Sequence, residues 1–419
     1  MPDMPHRYSA AVTQTLLVVA AFAALSPVHA SQAAGDWPQW RGAQRDGVAQ
    51  GVCLPRDWLD RKLTPRWRVP LGDGYSAPLV VGDRVFTFGR EEDREVVQAH
   101  ELATGKVRWR FSYPAPFEVR EIAQVHGAGP KATPVVHDGR LYTVGVTEIV
   151  HCLDTETGRV RWRIDFPRRY GASPPGYGAC SSPVIHGRRL LVSAAERVAA
   201  VDARGGGVAW RTMHDSFYAS LVVAELAGRT QVIAFARQRL AGLDPRDGRV
   251  LWSHPCPSTY GSNIATPCVW HDRIIISSPS RGTRALCVRE RAGQFVAQPV
   301  WQTRALRAYL SSPVVHDGYV YGVDESGQLV CLSAADGRTA WAQGNFGDYA
   351  SLVLAGDQLV ILSDSGDLAA VEATPLGYRP LGEQQVADSA TWTHLVIAHG
   401  GMLVRDRKWL TCFDLPTVE

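Results

Sequence analysis

YLSSPVVHDGYVYGVDESGQLVCLSAADGRTAW, residues 309–341, reads as four short strands in succession. Residues 311–316 and 319–324 alternate apolar and polar, residues 328–333 do so again, and residues 338–341 close the set. The breaks are His316-Asp317-Gly318, Asp324-Glu325-Ser326-Gly327 and Ala334-Ala335-Asp336-Gly337. They carry turn chemistry, because Gly takes positive φ without steric cost and Asp or Ser caps the local backbone. A unit of about 40 residues built this way cannot bury both faces alone. It needs copies of itself.

The copies are present. A closing Trp recurs at Trp67, Trp109, Trp162, Trp210, Trp252, Trp301 and Trp341. An acid–x3–Gly–x3–Trp pattern precedes it at Glu101/Gly105/Trp109, Asp154/Gly158/Trp162, Asp202/Gly206/Trp210 and Asp244/Gly248/Trp252, and Ser333/Gly337/Trp341 keeps the spacing. The expected form is a hairpin with Gly in the left-handed region. Its outer strand presents a large aromatic to the neighbouring unit, so these tryptophans read as docking residues and the acids as turn caps. Units open on small residues and Pro, as in Ser76-Ala77-Pro78, Ala132-Thr133-Pro134, Ser181-Ser182-Pro183, Ala265-Thr266-Pro267 and Ser311-Ser312-Pro313. Ala219-Ser220-Leu221 and Ala350-Ser351-Leu352 are degenerate versions. Openings near 76, 132, 181, 219, 265, 311, 350 and 392 predict an all-β, eight-bladed propeller of four-stranded antiparallel blades. The seventh unit lacks its Trp, and the eighth has only three strands. Residues 64–69 around Trp67 are expected to supply the missing outer strand and close the ring, removing exposed sheet edges.

Composition agrees with one globular repeat domain. Of 419 residues, 45% are apolar and 20% charged, with net charge +3 and both signs interspersed, so no nucleic-acid footprint is visible. Residues 1–30 read as a signal peptide: Arg7, an apolar run over 16–25, and Val28-His29-Ala30 before a cut. That run is too short for a stop-transfer helix. The first Cys is Cys53, which argues against a lipid anchor. The expected organisation is a signal peptide over 1–30, a lead-in over 31–63 and the propeller over 64–415. The mature protein is expected to be exported, periplasmic or extracellular, with no transmembrane segment.

Cys152, Cys287, Cys331 and Cys412 are read as one recurring site, which Ala99, Ala200, Gly242 and Ala370 occupy in other units. A position shared by Cys, Ala and Gly selects small volume. Cys256 and Cys268 are the pair left open to bridging across a loop. His137, His186, His271, His316 and His399 fall at the turn after the first strand and are too dispersed for a shared metal. No nucleophile elbow or ordered triad is present.

The repeat signature resembles the PQQ-like (pyrroloquinoline-quinone-type) β-propeller family, shared by quinoprotein dehydrogenases and by BamB of outer-membrane protein assembly. The lead-in Asp36-Trp37-Pro38-Gln39-Trp40-Arg41-Gly42 with Arg45-Asp46-Gly47-Val48 resembles exported BamB-like propellers, as do Gly74-Tyr75-Ser76-Ala77-Pro78 and residues 371–378. The resemblance spans roughly 36–415 and implies the fold; a fold does not carry an activity with it. Quinoprotein relatives imply a quinone over the axis stacked on Trp, a Ca²⁺-ligating acid and amide, an Asp base and often a vicinal disulfide. This chain has no vicinal Cys pair, and Trp392 is the only Trp beginning an inner strand. PQQ and Ca²⁺ are therefore not expected, and neither a metal site nor a catalytic residue is assigned.

A binding site is expected on the rim where inner strands begin, because the connections over 111–131, 164–180 and 253–263 are longest there. Aromatics precede the inner strands at Tyr75, Tyr177, Tyr218, Tyr260, Tyr309, Tyr349 and Trp392. The polar partners are His126, Lys131, Arg168, Arg169, Asn263 and Arg307. Such a funnel suits a protein segment, a sugar or an anionic small ligand; the same tyrosines also suit plain packing between blades. The expected role is a non-catalytic scaffold with a protein partner in the cell envelope, with a quinone-dependent dehydrogenase or a glycan- or ligand-binding propeller as alternatives.

Overall fold

The computed structural model describes residues 35–416 other than 216, 217 and 262, and leaves out the side chains of Ile122 and Tyr260. The signal-peptide reading of residues 1–30 lies outside them. Eight four-stranded antiparallel sheets form the ring as blades. The stretch quoted first is blade 6, with strands Val314–His316, Tyr319–Val323, Leu329–Ser333 and Thr339–Gln343. The inner strands of blades 1–5 are Leu79–Val81, Val135–His137, Val184–His186, Val222–Leu226 and Cys268–Trp270. Those of blades 7 and 8 are Ala350–Ala355 and Val396–Ala398. Every opening predicted from the repeats leads into one of these.

The closure is as expected. Blade 8 takes Pro65–Pro70 as its outer strand, paired with Trp409–Asp414 through Trp67↔Cys412 and Val69↔Leu410. The inner strands begin later than the alternation predicted. Val314–His316 starts after Pro313, because proline has no N–H to give the ladder. Blades 4 and 7, with Leu in place of that Pro, have the longest inner strands, Val222–Leu226 and Ala350–Ala355.

The outer seams follow from the acid–Gly–Trp spacing. Gly105, Gly158, Gly206, Gly248 and Gly337 have φ between +68° and +76°. A Cβ there would stand 2.5–2.9 Å from the Trp of the preceding blade. The indole N–H then donates to a carbonyl of that same hairpin: Trp67 to Leu102, Trp109 to Thr155, Trp162 to Ala203, Trp210 to Pro245, Trp301 to Ala334 and Trp341 to Thr374, at 2.8–3.2 Å. The acids cap the turns: Asp154 accepts from the N–H of Glu156 and Thr157, and Asp202 from Arg204 and Gly205.

Two blades depart from the pattern. In blade 5 the last hairpin is lengthened to Gly282–Arg291 and Gln294–Thr303. Its small residue facing the Trp is Ala285, not Cys287, which pairs with Gln298 two positions along; the periodic assignment of Cys287 is thereby corrected. The same hairpin carries Gly293 away from Trp252, whose N–H donates to Gln231 of its own blade at 2.6 Å. In blade 7, which has lost its Trp, the lead-in supplies one: the Trp58 N–H donates to Gln358 at 3.1 Å and Leu59 covers Gly382. All eight cysteines are free, Cys256 and Cys268 included.

Candidate functional site

Around the axis, hydroxyls of the small-residue signature tie blade to blade. Thr133, Ser182, Ser220 and Ser312 accept from the backbone N–H of Ala77, Thr133, Ser182 and Thr266 of the preceding blade, at 2.9–3.0 Å. Between blades 6, 7 and 8 the direction reverses, with Ala350 donating to Ser311 and Leu395 to Ser351. This belt sets the positions of the aromatics that stand just before each inner strand.

On that long-loop rim the structure gathers six of the expected residues into one chain of ring contacts. Trp392 is the hub, 4.6 Å from His126, 6.1 Å from Tyr75 and 6.1 Å from Tyr349, with which it stacks at 21°. His126 continues to Tyr177 at 5.6 Å, and Tyr177 to Tyr218 at 5.9 Å, edge to face. These are centroid separations at which aromatic pairs attract. His126 closes the short 3-10 turn Glu121–His126, and Gly127 at φ +60° follows it. Tyr309 is among the few exposed large apolar side chains, at 38%. Beneath His126, the Lys131 ammonium donates to the carbonyls of Gly127 and Gly129. Burial lowers the pKa of Lys131, and burial followed by Lys131 lowers that of His126, favouring the neutral imidazole. Burial raises Tyr75, Tyr309 and Tyr349, and holds Tyr218 up at about 12, so these phenols keep their protons at neutral pH. The rim therefore offers aromatic faces and neutral hydrogen-bonding groups.

Two expected residues, Asn263 and Arg169, stand elsewhere. Asn263 is buried, with its amide donating to the carbonyls of Ala236, Arg237 and Cys256. These bonds tie its loop to the turn after Arg229–Phe235 of blade 4. Arg169 lies on the helix Phe166–Tyr170, packed against strands of blade 2 and under Arg211 of blade 3, and its guanidinium sits over Tyr170. The side chain of Tyr260 is outside the described residues. Arg307 pairs with Glu325 at 2.7 Å.

Behind the rim, the axis is filled by the lead-in, which the repeat reading passed over. Residues 36–49 enter from the opposite rim, where the Asp36 carboxylate meets His399 at 2.8 Å and accepts from the Gly82 N–H at 2.9 Å. Trp37 pairs with Val80 of blade 1, Val136 of blade 2 donates to Pro38, and Arg45 reaches Ser182 and Pro183 of blade 3. The Trp40 N–H donates to Thr266 of blade 5, Arg41 to the Pro313 carbonyl of blade 6, and Ala49 to Leu354 of blade 7. Trp40 stands edge-on to His394 of blade 8 at 5.1 Å. Two tryptophans within four residues are out of character for a solvated leader, and that density was the available signal. Among the described residues no three His, Cys, Asp or Glu side chains cluster as a metal-ion site, and no helix is long and apolar enough to cross a membrane.

Comparison with known proteins agrees with this architecture. BamB from Moraxella catarrhalis superposes with a TM-score of 0.61 at 14% identity, covering 86% of this chain and 99% of that one. A europium-containing methanol dehydrogenase gives 0.54 at 13% identity over 91% of this chain and 98% of the other. The computationally designed Ika8 protein gives 0.59 at 12% identity, over 83% and 98%. At such identities the likeness is one of fold. A segment of 90 residues, 20% of the chain, is 33% identical to 1-butanol dehydrogenase (cytochrome c) of Thauera butanivorans, and covers only 12% of that relative's length. The family described as outer membrane protein assembly factor BamB matches residues 93–343, from the first blade through the sixth. With well over half of its length so matched, the chain belongs to the BamB family of propellers.

Proposed function

We propose that this protein is an exported, non-catalytic propeller scaffold that binds a protein partner of the cell envelope through its long-loop rim. The observation that carries the reading is the continuous aromatic cluster centred on Trp392 at the mouth of an axis filled by residues 36–49. Aromatic side chains offer large contact area at little entropic cost, which suits a peptide segment lying across the mouth. Membership of the BamB family supports a role in envelope protein assembly. A secretory signal at 1–30 and a propeller beginning near 64 belong to the same proposal.

The dehydrogenase relatives give a second reading a specific footing. The residues on this axis do not fit a calcium-held quinone: Trp37, Trp40 and Arg41 take the central space, and among the described residues no acid cluster stands by Trp392. Cross-linking with mass spectrometry in the native envelope tests the first reading. Links concentrated near Tyr309, Tyr177 and Trp392, and lost in Tyr309→Ala/Tyr177→Ala, are expected; links scattered over the blade edges would overturn it. Adding PQQ and Ca²⁺ to the purified protein should change neither its absorption spectrum nor the reduction of an artificial dye. A change in either would favour the enzyme.

A further inference from the structure

The axis poses a separate question, independent of what binds at the rim. The guanidinium groups of Arg41 and Arg45 are both buried, at 0% and 5% exposure. A buried charge normally stands against an opposite one. The comparably buried Arg90 does so, pairing with Asp93 at 3.2 Å. Among the described residues, Arg41 and Arg45 form no ion pair. Asp46 is the one acid of the plug beside Arg41, and its Oδ1 accepts from the Val48 N–H at 3.0 Å.

Carbonyl groups hold only part of each guanidinium. Arg41 Nη2 donates to Asp46 O at 2.9 Å and to Pro313 O. Arg45 Nη1 donates to Pro183 O at 2.9 Å and Gln39 Oε1 at 3.2 Å, and its Nη2 to Ser182 O at 3.2 Å. Arg41 Nε and Nη1, Arg45 Nε and Trp37 Nε1 are buried with no acceptor among the described residues. The two cations also bear on each other: burial, then Arg41, pull the Arg45 pKa down to about 9, which still leaves it charged at neutral pH. Like charges with unmatched donors, enclosed by the ring, make a setting for an anion.

We propose that the axis binds a small inorganic anion of halide size, held by the unmatched N–H groups of Arg41 and Arg45 and fastening the plug within the ring. Close packing bears on the size: a Cβ on Gly47 would come 2.8 Å from Val314 Cγ1 and 3.3 Å from the unmatched Arg41 Nε, so the space on that side suits a single atom better than a larger oxyanion. The donors are all N–H groups, which suits a halide and not a cation.

Crystals of the full protein exchanged from chloride into bromide test this directly. An anomalous peak in contact with Arg41 and Arg45 is expected. Bromide confined to the surface, with only water on the axis, would overturn the proposal. In solution at constant ionic strength, replacing sodium gluconate by sodium chloride should raise the unfolding midpoint by about 1–2 °C for each tenfold rise in chloride near saturation. The double variant Arg41→Gln/Arg45→Gln should lose that dependence, and an unchanged dependence would also overturn the proposal. If the double variant does not fold, the bromide map decides alone.

Discussion

The outer wall and the axis hold the same ring together by opposite means. Along the wall, one device recurs: a Trp donates to a carbonyl of the next hairpin in six of the seams, and in five of these it also lies on that hairpin's glycine. On the axis, a single segment touches seven of the eight blades through six residues, with Trp40 reaching two of them. The wall is apolar, redundant and local to neighbouring blades. The axis is polar, present once, and joins blades far apart in sequence. Damage to one seam should therefore loosen two neighbours, whereas damage to the plug should be felt around the ring.

That contrast can be broken from either side. Trp67→Ala strikes the wall where the chain ends meet, removing a buried indole 8% exposed and its bond to Leu102. It should cost about 3–5 kcal/mol in a denaturant titration, and a loss below about 1 kcal/mol would mean that the seam does not carry the closure. Gly47→Ala strikes the axis: φ is +81°, and the new Cβ meets Val314 and Arg41. We expect about 2–4 kcal/mol from strain and overpacking together. Limited proteolysis should then find residues 36–49 newly cleavable, an effect that Trp67→Ala should not produce.

Protonation sharpens the comparison, since each region buries a neutral histidine. Burial, then Arg41, hold His394 on the axis near pKa 3, and burial, then Arg163, do the same for His151 between blades 1 and 2. Their folded pKa values lie below the ordinary value near 6.5, so the unfolded chain binds more protons between those limits. Each histidine should therefore withdraw stability as pH falls from 6.5 toward 3, by about 1.4 kcal/mol per pH unit. Glu148, raised to about 7 chiefly by burial, has the opposite sign and adds stability as pH falls from 7 toward 4.5. His394→Gln should flatten the acid limb of a midpoint-against-pH curve by about one proton; an unaltered limb would place the titration elsewhere. The smallest effect expected is from Ser182→Ala, which removes one belt bond to the Thr133 N–H, at about 1 kcal/mol.

Much of the wall was legible in the sequence because it repeats. Trp109, Trp162, Trp210 and their acids and glycines declare both the hairpin and its period, and the missing fourth strand of the last blade pointed to Trp67. The blade 5 assignment failed for the same reason: Cys287 and Gly293 mimic the period, and nothing local reveals that a longer hairpin has shifted the facing residue to Ala285. The rim was legible as a recurrence of aromatics before inner strands. Which of them meet was not: Asn263 and Tyr177 look alike as loop polar residues, yet one ties its loop to a turn of blade 4 and the other joins the cluster around Trp392. Arg41 and Arg45 were visible only as part of a family-like motif.

The sequence by itself determined the number of blades, the strand that closes the ring and the chemistry of the seams. Each of these is a short-range pattern copied along the chain, and copies can be counted. Only the tertiary structure decided that residues 36–49 fill the axis, that Trp58 serves a blade without its own tryptophan, and that two arginines of the lead-in are buried. Those outcomes depend on pairs separated by as many as 363 residues. No local spacing encodes them, because the contacts come into being only when the ring is closed and its centre must be filled.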